Sequence, residues 1–350
     1  MTLPLRPPVP PMLAKLVREL PRGDLLYEPK WDGFRCLAFR DGDAVELQSR
    51  HGNPLGRYFP EIVEALASVP EPTFALDGEL VVVTRAGFSF EALLARIHPA
   101  ASRVERLAVE TPAAFVAFDV LATGELLLGA PFAARRAALE TLLADARPPV
   151  HVTPATRDPA AAQEWLDRFQ GAGIDGVVAK PLRARYEPGA RRLLKVKHER
   201  TADCVVAGFR VLAGRHELSS LLLGLWDADG ALEHVGVVTG LGARLRAQLL
   251  DDVRPLVAPL EGHPWERGFL LGGGSTGRLR GAAGRWQPGM TQDWVPLAPV
   301  RVAEVAYTQV DGHRFRHPAR FRRWRPDRDP RSCLLEQLEL HGARPQELLG

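Results

Sequence analysis

The rhythm of apolar and polar positions changes along this chain, and each rhythm predicts a different element. Arg35–Arg40 and Ala44–Gln48 flank the turn residues Asp41-Gly42-Asp43, which reads as a β-hairpin. Phe59–Val69, Phe132–Ala146 and Ala160–Gln170 carry apolar residues at helical spacing. Phe74–Val83 and Ala114–Leu121 have strand length, and the second is apolar almost throughout, so burial is expected. Gly176–Ala179 reads as a short inner strand. After His198 the texture shifts to strand candidates at short spacing: Asp203–Leu212, Ser219–Trp226, Leu232–Thr239 and Val300–Tyr307, with one helix at Ala243–Val257. Short strands with a single helix suggest a small barrel of the oligonucleotide-binding (OB) type. The expected boundary lies near Arg200–Asp203, giving an α+β domain over 1–200 and a β-barrel domain over 201–350 that ends in a tail helix. Gly272–Gly284, rich in glycine and arginine, reads as a connecting loop able to touch a phosphate backbone.

Composition narrows this picture little. At 350 residues, 46% hydrophobic and 25% charged, the chain suits two globular domains. A net charge of +3 means that any polyanion must be met by local clusters. The densest runs from Arg301 to Arg331, with nine arginines against four acids. Cys36, Cys204 and Cys333 are far apart, which argues against a zinc site or a disulfide framework and for a reducing cytoplasm. No stretch has the length of a membrane span, and the proline-rich N-terminus lacks a signal-peptide core.

Lysine usage changes the picture most. Only five of the forty-five basic side chains are lysines, and four of them fall in three short motifs. Arginine cannot lose its proton, whereas lysine can serve as an amine nucleophile. Glu28-Pro29-Lys30-Trp31-Asp32-Gly33-Phe34-Arg35 reads as Lys30 attacking phosphorus, Asp32 and Gly33 shaping a turn, and Arg35 holding a phosphate. Taken alone, this could also be a turn with a surface lysine. Ser49-Arg50-His51-Gly52-Asn53 would pass for an ordinary turn. Leu76-Asp77-Gly78-Glu79-Leu80 sets acids among apolar strand residues, where they must be paired or face a cleft. Phe118, in Ala117-Phe118-Asp119-Val120, is either core or a stacking surface for a base. Lys195 and Lys197 share a strand face near Asp175-Gly176-Val177-Val178-Ala179-Lys180. Two ammonium groups there repel unless an anion lies between them, and they are expected to depress the pKa of Lys30. Arg320-Phe321-Arg322-Arg323-Trp324-Arg325-Pro326-Asp327-Arg328 is an arginine-rich strand.

Taken in order, these segments resemble the nucleotidyltransferase motifs of ATP-dependent DNA ligases, across nearly the whole chain from Lys30 to Arg328. Pro10-Pro11-Met12-Leu13-Ala14-Lys15, Tyr186-Glu187-Pro188-Gly189-Ala190-Arg191 and Phe315–Phe321 narrow the resemblance to the bacterial ligase C subfamily. It implies an adenylation domain with antiparallel sheets and flanking helices, followed by an OB-fold domain. It implies ATP and Mg2+ or Mn2+, with nicked double-stranded DNA as substrate. Lys30 would form lysyl-AMP and pass AMP to a 5′-phosphate, and the 3′-hydroxyl would then seal the nick. Glu28 would lie at the adenine edge and Phe118 would stack on the base. Arg35 and Glu79 would contact the ribose side, and Glu79 with Asp175 would sit near the metal. Arg191, Lys195 and Lys197 would hold the α-phosphate, Arg50 the 5′-phosphate of the nick. Arg325, Asp327 and Arg328 would orient pyrophosphate.

Asp175 stands where glutamate is usual and Arg328 where lysine is usual. Only five residues separate Pro188 from Leu194, so the loop before Lys195 is short. The resemblance further implies a cytoplasmic monomer acting in DNA repair, without its own N-terminal DNA-binding domain, with a repair polymerase or end-joining proteins as partners. An RNA ligase or a capping guanylyltransferase would use the same lysine motif, and a non-catalytic nucleic-acid clamp would keep the fold. The lysines retained among so many arginines argue against the clamp.

Overall fold

Long apolar runs become the central strands of two sheets in the N-terminal half. The computed structural model describes residues 2–84, 87–98, 100–169, 174–197, 199–212, 217–266, 294–339 and 348. The chain divides into two compact units, 1–198 with 340–350, and 199–339.

In the first unit, β1 (Leu13–Val17), β2 (Leu25–Trp31), β3 (Phe34–Asp41) and β4 (Ala44–Ser49) lead to α1 (Pro60–Ala67) and β5 (Thr73–Thr84). Then follow β6 (Gly87–Phe88), α2 (Phe90–Ala95), α3 (Ala101–Glu110), β7 (Ala113–Ala122), α4 (Phe132–Leu142), β8 (Val150–Val152), α5 (Pro159–Arg168), β9 (Ile174–Pro181) and β10 (Arg191–Val196). One sheet runs β4-β3-β5-β7-β8, the other β1-β10-β9-β2. Every residue of β7 is buried, as a strand covered on both faces requires. α1 and α4 close one side of the first sheet around Phe59, Leu66, Phe74, Phe115 and Leu139. α5 packs Ala162 and Leu166 against Tyr27 and Val177 of the second sheet. The helix expected over Phe132–Ala146 stops at Leu142, since Pro148 and Pro149 follow and cannot extend it.

The second unit holds β11 (Arg200–Val211), β12 (Leu218–Trp226), β13 (Leu232–Val238), α6 (Ala243–Val253), β14 (Val295–Tyr307), β15 (Val310–Asp311), β16 (Arg314–Phe315) and β17 (Arg320–Trp324). Its main sheet runs β13-β12-β11-β14-β17. The outer strands meet at one parallel bridge, Val238 with Ala319, so the sheet curls in the OB manner without a continuous closing ladder. The helix expected to reach Val257 gives way after Val253 to a 3-10 turn, because Pro255 has no N–H to donate. Gly272–Gly284 and the expected tail helix beyond Glu339 lie outside the described residues, apart from Leu348. No helix among the described residues is long and apolar enough to cross a membrane.

Candidate active site

Lys30 owes its direction to a bulge. β2 pairs with β9 from Leu25 to Pro29 and again at Trp31, and the register shifts between Pro29 and Trp31, which leaves Lys30 outside the ladder. Trp31 anchors the break: it is buried, and its indole N–H donates to Thr153 Oγ1 at 2.8 Å. Gly33 then lets the turn press onto β5, where a Cβ would lie 2.0 Å from the carbonyl oxygen of Leu80. That approach allows the Gly33 N–H to donate to Glu79 Oε1 at 3.2 Å.

Asp175 gathers the lysines. Its Oδ2 accepts from Lys30 Nζ at 2.8 Å and meets Lys197 Nζ at 2.5 Å. Gly176 makes this possible: its φ is +145°, and a Cβ there would lie 1.9 Å from the carbonyl oxygen of Val196. Only glycine lets the start of β9 press closely enough on the end of its antiparallel neighbour β10 to bring Asp175 to Lys197. Burial works to raise the Asp175 carboxyl, but Lys30 and Lys197 outweigh it and hold the group below its ordinary value. For Lys30 the expectation is reversed. Burial favours the neutral amine, yet Asp175, then Glu79 and Asp32, hold the ammonium above its ordinary pKa. The neighbouring cations do not decide it, because an anion sits closer. It is Lys195 that is depressed, by burial and then by Lys30, Lys197 and, more weakly, Arg50. Arg50 therefore stands within electrostatic reach of this cluster. It is exposed on a turn held by Ser49 Oγ, which accepts from the Asn53 N–H at 3.0 Å, and it makes no ion pair among the described residues.

Glu79 is the second carboxylate beside Lys30. Burial pushes it up to about 7, against the pull of Arg35 and Lys30. The fit to a divalent ion rests on Asp175 Oδ1, a buried oxygen with no hydrogen-bond partner. Glu79 and Asp175 offer oxygen donors only, as a hard cation prefers. Among the described residues no three His, Cys, Asp or Glu side chains form one group, so these two would fill part of a coordination shell and leave the rest to phosphate and water.

The nucleotide-side residues are more engaged within the protein than their motifs suggest. Glu28 is buried, with Oε2 2.7 Å from Lys180 Nζ and Oε1 3.2 Å from Arg136 Nη1, and burial raises its carboxyl despite both cations. Arg35 forms a two-pronged pair with Asp77, Nε to Oδ1 at 2.5 Å and Nη2 to Oδ2 at 2.6 Å. Tyr186 donates to the same carboxylate at 2.6 Å. The Arg35 guanidinium lies 4.5 Å from the centre of the Phe118 ring, and Lys180 Nζ lies 4.6 Å from it. Arg35 is thus committed to Asp77 rather than held open for a phosphate. Arg191 is exposed at the start of β10. Asp77, Lys180 and Arg136 carry no assignable role in the sequence alone: the apolar setting of Asp77 signals only that a partner is needed, and Lys180 is marked only by its place in a lysine motif.

In the second unit Arg325, Asp327 and Arg328 come together around an acid the sequence did not single out. Arg325 Nη1 donates to Asp203 Oδ2 at 3.0 Å, its Nη2 to Asp327 at 2.8 Å, and Arg328 Nε lies 3.7 Å from Asp203. The hydrogen bond from Arg325 holds Asp327 down at about 2. Further along β17, Arg323 meets Glu304 at 2.8 Å, and Glu199 pairs with both Arg320 and Arg322.

Both units match known proteins. Residues 10–197 match the family model described as ATP dependent DNA ligase domain, and residues 214–328 match ATP dependent DNA ligase C terminal region. The chain is 51% identical over 345 residues to DNA ligase C of Mycobacterium tuberculosis, spanning 97% of this chain and 96% of that one. It is 46% identical to DNA ligase C1 of Mycolicibacterium smegmatis, again over 97% and 96%. Among solved structures, a Lig E DNA ligase shares the fold with a TM-score of 0.54 at 18% identity, covering 90% of this chain and 99% of that one.

Proposed function

Since the chain belongs to the ATP-dependent DNA ligase family, and within it to the ligase C subfamily, we propose that Lys30 carries the AMP. The enzyme joins DNA strands at the expense of ATP. Lys30 Nζ attacks the α-phosphorus, a P–N bond forms, and the P–O bond to pyrophosphate breaks. AMP then moves to the 5′-phosphate of nicked duplex DNA, and the 3′-hydroxyl displaces it. The observation that carries the assignment is the convergence of Lys30 and Lys197 on one oxygen of Asp175.

That shared oxygen supports a way of arming the amine. While Asp175 holds Lys30, the lysine stays protonated and inert. A carboxylate already bonded to Lys197 loses little by releasing Lys30, which then sheds its proton to solvent. Lys195 and Lys197 carry the charge that faces the α-phosphate, and Arg50 faces the 5′-phosphate of the nick. Glu28, fixed by Lys180 and Arg136, shapes the adenine end. Arg35, fixed by Asp77, supports Phe118 as the floor under the base. Glu79 and Asp175 would hold a divalent cation, Mg2+ or Mn2+, which when bound offsets phosphate charge. Arg325, Asp327 and Arg328 orient pyrophosphate. We place this activity in cytoplasmic DNA repair, with the chain acting as a monomer alongside a repair polymerase or end-joining proteins. Incubating Lys30→Arg with labelled ATP tests the centre of this reading. The variant keeps the charge but cannot supply a free amine, so no covalent AMP should form. Normal labelling would overturn the assignment.

A further inference from the structure

β2 carries Lys30 at the edge of its sheet, with β9 as its one ladder neighbour, and at Lys30 that ladder is interrupted. Something other than the sheet must fix the course of the main chain there. The short segment after β8 supplies it. Thr156 exchanges two backbone hydrogen bonds with Tyr27, at 2.8 and 3.0 Å, and so holds the edge of β2 that β9 does not. Earlier in the same segment, Thr153 is completely buried and directs three polar groups at three different neighbours. Its Oγ1 accepts from the indole N–H of Trp31, next to Lys30, at 2.8 Å. Its carbonyl oxygen accepts from Arg136 Nη2 at 2.8 Å, and Arg136 in turn holds Glu28. Its N–H donates to the carbonyl oxygen of Ala117, which precedes Phe118 on β7, at 2.8 Å. One residue thus joins the strand of Lys30, the buried pair at Glu28 and the strand of Phe118. The Trp31 ring packs among Val81, Val116, Phe169 and Ile174 and meets Phe88 edge-on at 5.4 Å. Such apolar packing has no direction of its own, whereas the hydrogen bond to Thr153 does, and it fixes how the indole sits.

We infer that Thr153 is a positioning residue for the attack on ATP: its hydroxyl, acting through Trp31, sets the path of the main chain at Lys30. The inference rests on Lys30 being the nucleophile. An amine and a phosphorus atom meet in line only if the strand bearing the amine keeps a fixed place relative to the residues that receive the base. Thr153 is the shared reference for both ends. Being buried, it meets no substrate itself. Two of its three links run through the backbone and survive any change of side chain, so a substitution cuts only the link to Trp31 and leaves those toward Glu28 and Phe118 in place.

The test compares, in the full chain, Thr153→Val, which keeps the shape and removes the hydroxyl, with Thr153→Ser, which keeps the hydroxyl and removes a methyl group. Both changes cost stability, the first by orphaning the Trp31 N–H and the second by leaving a small void, so a merely structural role predicts that both slow the enzyme. Positioning predicts a split. At saturating ATP, Thr153→Val should form covalent AMP on the order of 10-fold more slowly than the parent, with the ATP concentration for half-maximal rate unchanged. Thr153→Ser should charge at close to the parent's rate. Should Thr153→Val fold too poorly to assay, Trp31→Phe removes the same hydrogen bond from its other end and should show the same slow charging at unchanged half-saturation. Charging of Thr153→Val at the parent's rate overturns the inference. So does equal slowing by Thr153→Val and Thr153→Ser, or a raised half-saturating concentration of ATP. None of these results touches the assignment of Lys30, which stands or falls with the labelling of Lys30→Arg.

Discussion

Replacing Glu79 with glutamine should make the first unit more stable while impairing its chemistry. The carboxyl titrates near 7 in the folded chain against an ordinary value of 4.5. As an anion it is therefore disfavoured by folding, by about 3 kcal/mol once the pH exceeds 7. A raised acid is neutral in both states below 4.5, so the penalty vanishes there and grows between 4.5 and 7. Glutamine carries no charge at any of these values and keeps an oxygen to accept the Gly33 N–H. Lys30 and Arg35 do not lose their main partners, since Asp175 and Asp77 hold them. Glu79→Gln should exceed the parent by about 2–3 kcal/mol at pH 8, and the gap should close toward pH 5. Hydrogen exchange of β3, β5 and β7 amides in urea, followed from pH 5 to 8, reports on this unit alone. The same variant should form AMP adduct slowly, because one of the two carboxylates assigned to the divalent ion is gone. A variant less stable than the parent at pH 8, or an offset that is the same at both ends of the range, would refute the argument.

Arg50→Ala should still take up AMP on Lys30 but should stall on nicked DNA as a stable adduct; equal loss of both steps would place Arg50 in the ATP pocket instead. Asp203→Asn removes the anion that Arg325 and Arg328 share, leaving Asp327 as the one acid hydrogen-bonded to Arg325, at 2.8 Å, so AMP transfer to Lys30 should fall by on the order of 10²-fold while sealing of a pre-adenylylated nick is largely spared. A matched fall in both reactions would refute the positioning role. Gly176→Ala places a Cβ where the Val196 carbonyl oxygen stands, and should destabilise the first unit by more than about 1 kcal/mol, read from its urea midpoint. An unmoved midpoint would show that the contact between the start of β9 and the end of β10 is not tight.

Period and composition were enough to read several strands that carry the site, but not β2, which bears Glu28 and Lys30 and whose seven residues show neither an apolar run nor an alternation. β5 and β7 appear as apolar runs, the β3–β4 hairpin announces itself through Asp41-Gly42-Asp43, and the rare lysines mark the motifs. The partnerships were not legible. Lys30 meets Asp175 across 145 positions, Glu28 meets Arg136 across 108, and Arg325 meets Asp203 across 122. No local pattern encodes such pairs. The direction of the Lys30 shift was misread for the same reason: two nearby cations are visible in the sequence, whereas the closer anion is a product of the fold. α3 escaped notice because only Val104 on it is buried, too little for an apolar stripe.

The arginines of β17 and the residues after it have a consequence for how salt acts on the enzyme. Arg320, Arg322, Arg323 and Arg325 are already paired with Glu199, Glu304, Asp203 and Asp327, and Arg328 lies 3.7 Å from Asp203. When one of them turns to a phosphate, a carboxylate is left behind and must recruit a cation from solution. In the proposed role of this segment, the exchange would take up about as many counterions as it releases, so binding of polyphosphate there should depend little on ionic strength. Arg50, which makes no ion pair among the described residues, would abandon no acid when it binds. The ionic-strength dependence of the whole enzyme therefore reports on such lone cations and not on the length of its arginine-rich strand.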